Sequence, residues 1–186
     1  MDLSWRSPRD YTRIAGLDPS QAHLHAIAAH LHAIAAPCRG TTPMTPLKEL
    51  VGSRWSGKSE LWLDPLGNAA DHSDCTIAID DDAIHYTWSY QGADHVGSVE
   101  LSASDSGESG AGFRDSWHSP ELLKCEHVAG LPTMLNVAGT YMEEWGWRIS
   151  LSLRTTTGEL VLQMTNVTPW GEEVRAVRMI CSRDDG

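Results

Sequence analysis

Residues 144–183 read EWGWRISLSLRTTTGELVLQMTNVTPWGEEVRAVRMICSR, and their patterning decides the fold. In Glu144 to Arg154, the apolar positions Trp145, Trp147, Ile149, Leu151 and Leu153 alternate with Arg148, Ser150, Ser152 and Arg154. Successive side chains on a strand point to opposite faces, so this alternation marks a strand with one apolar face. Thr157-Gly158 turns the chain into Glu159 to Val167, and Pro169-Trp170-Gly171 turns it again into Glu172 to Arg183. Strands joined in this way by short polar turns form an antiparallel meander.

The pattern extends upstream to Ser53. Candidate strands cover Ser53–Asp64, Ser73–Asp80, Ala83–Gln91 and Gly92–Leu101, then Phe113–His118, Leu122–Val128 and Asn136–Met142. Ala83 to Gln91 alternates cleanly, with Ile84, Tyr86, Trp88 and Tyr90 on one face and His85, Thr87 and Ser89 on the other. About ten short strands in consecutive hairpins favour an all-β, antiparallel up-and-down barrel, since closure removes the exposed sheet edges. A short helix is expected over Pro46–Val51.

Composition narrows the function classes. The chain has 186 residues, a net charge of −11 and a pI near 5.1. An acidic surface repels phosphate backbones and anionic lipid, so neither nucleic acid nor membrane is an expected partner. No apolar stretch approaches the roughly 18 residues of a membrane span. The N-terminal region, with Asp2, Arg6, Arg9, Asp10, Arg13 and Asp18, lacks the apolar run of a signal peptide. Cys38, Cys75, Cys125 and Cys181 form no CxxC pair, so reduced thiols in the cytoplasm are the expectation. Eight Trp and four Tyr stand against a single Phe. Rings with polar tips suit a wet cavity wall as well as a core.

Residues 23–36, HLHAIAAHLHAIAA, repeat one heptad. Asp18-Pro19-Ser20-Gln21 opens a helix and Pro37 and Gly40 close it. Leu24, Ile27, Leu31 and Ile34 form one apolar stripe. The aligned histidine pairs, His23/His30 and His25/His32, stand seven residues apart, about 10 Å of helix rise, too far to share one ion. The repeat therefore packs and holds no metal. Residues 1–43 are read as an extension with an amphipathic helix, and residues 44–186, from Met44, as the barrel domain.

These residues resemble a family. LKELVGSRWSGKSELWL (residues 47–63), with a short helix, Gly52 and then Trp55 heading the first strand, resembles the opening of the calycin superfamily. The ending VRMICSR is similar to its habit of laying a terminal arginine, here Arg183, across that tryptophan. The Tyr/Trp-rich third strand, FRDSWH and WGWRISLSL together resemble DUF1579 domains, lipocalin-like barrels. The resemblance covers Pro46 to Arg183 and implies a calycin-like barrel closed by Trp55 and Arg183. Two residues separate Gly52 from Trp55, against one in the lipocalin pattern. Haem ligation of the nitrobindin-like kind wants a late histidine, whereas the last here is His127, so haem is a runner-up and no cofactor is expected.

A barrel of this size holds packed side chains or one small ligand. The expected ligand-lining residues are Tyr86, Trp88, Tyr90, Asp115, Trp117, Tyr141, Trp147 and Met164. By alternation Asp115 shares a face with Phe113 and Trp117, a carboxylate among aromatics that must be paired or must titrate high. It is either a polar anchor or general acid/base, or else one half of a structural ion pair or a solvated Asp near a loop. His118 falls on the opposite face and forms no dyad with Asp115, and His85 and Arg148 face solvent. The last strand offers two faces: one inward choice makes Arg178 a ligand anchor, the other makes Arg183 the lid on Trp55. No phosphate loop or G-x-S-x-G elbow is present.

Three readings follow: a binding protein for a small apolar or amphipathic molecule, an enzyme using Asp115, Tyr86 or Tyr141 for acid–base work, and an interaction module whose interior is filled by its own tryptophans. No catalytic residue is assigned, and a homodimer is left open.

Overall fold

The computed structural model describes residues 47–64, 69–102, 110–129, 133–141 and 144–185. The doubled heptad and the expected N-terminal helix lie outside the described residues. Ten strands run in order: β1 (Arg54–Leu61), β2 (Asp71–Ile79), β3 (Ala83–Tyr90), β4 (Ala93–Ser102), β5 (Gly110–Asp115), β6 (Ser119–His127), β7 (Leu135–Tyr141), β8 (Trp145–Leu153), β9 (Leu160–Val167) and β10 (Glu173–Arg183). Each pairs antiparallel with its neighbours in sequence, and β1 pairs with β10, so the sheet closes into a barrel. Closure runs from Trp55 opposite Arg183 to Leu61 opposite Val177. No edge is left to recruit another strand along that seam.

Alternation sorts the faces as period two requires. Ile84, Tyr86 and Trp88 of β3 are buried while His85 and Thr87 are exposed. On β10, Val177, Met179 and Cys181 are buried, which settles the two-faced strand. Arg178 points outward and its Nε donates to Glu60 Oε2 at 2.5 Å. A register shift between Arg175 and Val177 inserts Ala176, a bulge that bends β10 around the barrel.

The end of the barrel at Trp55 is shut. Of the short helix expected over Pro46–Val51, Leu47 and Lys48 are helical and residues 49–52 form a turn: the Leu50 N–H bonds the Leu47 carbonyl at 3.0 Å and the Val51 N–H that of Lys48 at 3.4 Å. Gly52, at φ +80°, reverses the chain and donates its N–H to the Ile79 carbonyl. Trp55 Nε1 donates to Ser53 Oγ at 2.8 Å, and the Arg183 guanidinium lies 5.9 Å from its ring centroid. Aliphatic side chains such as Ile77, Ile79, Leu151 and Leu160 pack above this plug. The opposite end, where β3 runs to Tyr90 and β5 to Asp115, is lined with rings and polar atoms.

Candidate functional site

Asp115 organises that second end. It is the last residue of β5, its side chain is fully buried, and its carboxylate accepts five hydrogen bonds. Oδ1 takes the backbone N–H groups of Trp117 (2.8 Å) and His118 (2.9 Å) and contacts His118 Nδ1 at 3.0 Å. Oδ2 takes the Tyr86 hydroxyl at 2.7 Å and Trp88 Nε1 at 3.4 Å. Burial pushes this carboxyl upward, but the bond and charge of His118, the Tyr86 hydroxyl and the His118 N–H outweigh it, leaving it at about 2. Asp115 is ionised at neutral pH. An ionised carboxylate only accepts, so the proton of the shared bond sits on His118 Nδ1.

This geometry corrects the expectation that His118 faces away. Alternation predicts a strand through Phe113–His118, but β5 stops at Asp115 and residues 116–118 form a turn. A short acidic side chain that captures the N–H groups two and three residues ahead reverses the backbone. That capture rolls His118 back onto the inward side, where it is 6% exposed. Trp117 reaches the same place from the turn, not from the strand, and is half-buried.

Tyr86 reaches Asp115 by crossing a whole strand. Register places Tyr86 opposite Gly97 and Gly97 opposite Asp115, so the phenol lies over β4 where a side chain is missing. A Cβ at Gly97 would stand 2.2 Å from Tyr86 Cζ. Burial first, then the charge and hydrogen bond of Asp115, hold the Tyr86 hydroxyl well above the usual phenol range. It stays a donor.

Around this pair the rings interlock. Trp88 lies 5.6 Å from His118, stacked, and 4.6 Å from His95. Trp117 stands edge-on to Trp88, Tyr90 and His95 at 5.0–6.0 Å. Trp147 sits between His118 (5.0 Å) and Phe113 (5.7 Å), and Tyr141 meets it edge-on at 6.3 Å. Tyr141 donates its hydroxyl to Asn166 Oδ1. Of the expected lining residues, Tyr86, Trp88, Tyr90, Asp115, Trp117, Tyr141 and Trp147 therefore meet in one nest. Met164, opposite Ile149 and Val177, belongs to the aliphatic packing below.

Sequence reasoning passed over His95, Gly97, His118 and Asn166. His95 and Gly97 share the inward face of β4 with Val99, a spacing that alternation could have flagged. His118 could be found only by reading D-S-W-H as a turn.

Two buried nitrogens in the nest have no partner among the described residues: His95 Nε2 and Trp147 Nε1. His95 Nδ1 stands 3.4 Å from Ser116 Oγ. At the rim, Tyr90 borders a groove of about 340 Å³ with Asp71, His72, Ser73 and Ser89. Trp170, 65% exposed, stands edge-on to Trp145 at 6.2 Å. Among the described residues no three His, Cys, Asp or Glu side chains converge as a metal site would require, and no helix is long and apolar enough to cross a membrane.

What the nest can do chemically follows from these states. Asp115 is saturated, and near neutral pH neither it nor Tyr86 exchanges a proton readily. The buried polar atoms left over are His95 Nε2 and the Trp147 N–H, which lie among the rings. Compared with known proteins, the chain matches no family model and no curated protein.

Proposed function

We propose that the protein binds one small amphipathic molecule at the Asp115 end of the barrel, among Trp88, Tyr90, Trp117, Tyr141 and Trp147. The observation that carries this reading is the pair of buried, unpartnered nitrogens in the ring nest, His95 Nε2 and Trp147 Nε1. A buried donor left unpaired costs about 1–3 kcal/mol, and such groups in folded proteins call for a ligand, an ion or a water. The rings offer apolar area, and Tyr90, Trp117 and Tyr141 at the rim are half-buried. Asp115 serves as the internal brace that positions His118, not as the ligand's own anchor. The calycin resemblance supports the same reading, because barrels of that type take small ligands at one end. The expected setting is the cytoplasm.

Two measurements test it. Native mass spectrometry of the freshly purified chain should show a co-purifying small molecule, and Nile red, a neutral apolar dye, should brighten on binding and be displaced from the Trp88/Trp147 nest. A chain that carries nothing and leaves Nile red dark would overturn the reading.

A second reading rests on the 3.0 Å contact between Asp115 and His118. A carboxylate behind an imidazole is also how a general base is held in one tautomer. On that reading the same mouth is catalytic, and His118→Gln abolishes turnover of the bound molecule while Nile red still binds.

A further inference from the structure

Two thiols meet on the inner face of the barrel across an intervening strand. Cys75 of β2 and Cys181 of β10 stand opposite the same residue of β1, Gly57, one from each side. Glycine puts no side chain between them, so their Sγ atoms come to 3.5 Å although 106 positions separate them in sequence. We propose that Cys75 and Cys181 are a site of reversible oxidation, at which a peroxide converts the two thiols into a disulfide that clasps β2 to β10 across β1. This modification does not depend on what the ring nest binds.

The backbone around the pair favours a bond over mere packing. β2 and β10 are not neighbours in the sheet, yet they come within 8 Å of each other between Cα atoms, near the span of about 4.4–6.8 Å that a disulfide bridges. β1 is creased there: a Cβ at Gly57 would stand 2.0 Å from the Ile180 carbonyl oxygen, a closeness only glycine allows. β2 can also yield. Its ladder to β3 runs only from Ile79 to Thr76, and beyond that Ser73 Oγ accepts from the Ser89 N–H at 3.2 Å. An S–S bond is about 2.0 Å long, so the sulfurs must close by about 1.5 Å, a shift that this loosely tied stretch of β2 supplies. A groove of about 780 Å³ borders the same stretch at Asp74, Cys75 and Ser89, so a brief opening of β2 brings Cys75 to water. Cys125, also buried, has no thiol beside it among the described residues, and its Sγ meets the Leu123 carbonyl at 3.7 Å.

The chemistry balances with hydrogen peroxide, a small neutral oxidant, as co-reactant. A hydrogen bond from the Cys75 thiol favours the Cys181 thiolate, the nucleophilic form. That sulfur attacks one peroxide oxygen and the O–O bond breaks. The departing hydroxide takes up the proton that Cys181 released, leaving a sulfenic acid and water. The Cys75 sulfur then attacks the sulfenic sulfur: S–S forms, S–O breaks, and the hydroxide takes the Cys75 proton as a second water. Two thiols and one peroxide thus yield one disulfide and two waters. The product is neutral, which suits its place beside Ile77 and Met179, the buried residues two positions away on each strand. A monovalent metal ion held by two thiolates would instead leave a net negative charge among those side chains.

The test treats the folded, fully reduced, full-length Cys38→Ser chain with excess hydrogen peroxide at pH 7. Free thiols are then blocked with iodoacetamide in urea, and the peptides are mapped by mass spectrometry. The expected product is one cross-linked peptide pair, Cys75 with Cys181, lighter by two hydrogens, while Cys125 is recovered alkylated. Because the bond closes a loop of more than a hundred residues, the urea midpoint should rise by about 1 M and fall back after dithiothreitol. Cys75→Ala and Cys181→Ala should each give no cross-link and no rise, and the peptide map of the parent chain needs neither variant to fold. Both thiols still alkylated after the same peroxide has oxidised glutathione in the tube overturns the proposal. So does pairing of either cysteine with Cys125 as often as with the other, or a cross-link that leaves the midpoint unchanged or lowers it.

Discussion

Adding one methyl group at Gly97 should cost as much as deleting a core side chain. An alanine Cβ there would stand 2.2 Å from both Cζ and Oη of Tyr86 and 2.6 Å from Cε2. Carbon atoms in ordinary contact are about 3.5–4.0 Å apart, so the phenol must retreat by more than about 1 Å. Its hydroxyl is held at 2.7 Å from Asp115 Oδ2, and a retreat of that size breaks the bond. A hydrogen bond to a charged group is worth about 1.5–3 kcal/mol, and overpacking a filled core about 1–3 kcal/mol more. Gly97→Ala is therefore expected to destabilise the barrel by about 3–5 kcal/mol. Tyr86→Leu removes the atoms that clash, so in that background Gly97→Ala should be nearly neutral and the cycle should show about 3 kcal/mol of coupling. Urea unfolding at pH 7, followed by tryptophan fluorescence, measures all four proteins. A Gly97→Ala cost below about 1 kcal/mol, or the same cost in both backgrounds, would refute the strand-crossing bond as the reason for the glycine.

Acid unfolding should carry the signature of Asp115: its folded carboxyl at about 2 lies below the ordinary 3.8, so the fold prefers the ionised form. Its contribution of about 2 kcal/mol is present above pH 4 and is lost as pH falls from about 4 to about 2, a limb that should be missing from the stability–pH curve of Asp115→Asn. Arg183→Ala should cost about 1 kcal/mol through loss of its contact with the Trp55 ring, read as a lower urea midpoint with an unchanged slope. Cys75, Cys125 and Cys181 are all buried; burial pushes Cys125 up to about 11, and the bond to Cys181 together with burial pushes Cys75 up further. A Cys38→Ser chain should therefore react with an aromatic disulfide reagent only after urea is added, and fast labelling of the native chain would contradict that packing.

The barrel was legible in the amino-acid sequence because strand alternation is a local property. Trp145 to Leu153 and Ile84 to Trp88 announce their inward faces residue by residue, and short polar turns leave each strand little choice but to pair with its neighbour. Most of the ring nest was legible for the same reason, since Tyr86, Trp88, Tyr141 and Trp147 fall on those inward faces. What tertiary structure alone decided is where alternation stops and which distant atoms meet. Asp115 ends its strand by binding the backbone two and three residues ahead, which turns His118 inward against its parity. Closure of β1 on β10 chose between the two faces of the last strand, placing Arg183 on Trp55 and sending Arg178 to Glu60. Gly97 gained its importance only when β3, β4 and β5 came into register. A period of two records which side of the sheet a residue occupies; it holds no information about a carboxylate that bends the chain, or about a phenol reaching across a strand.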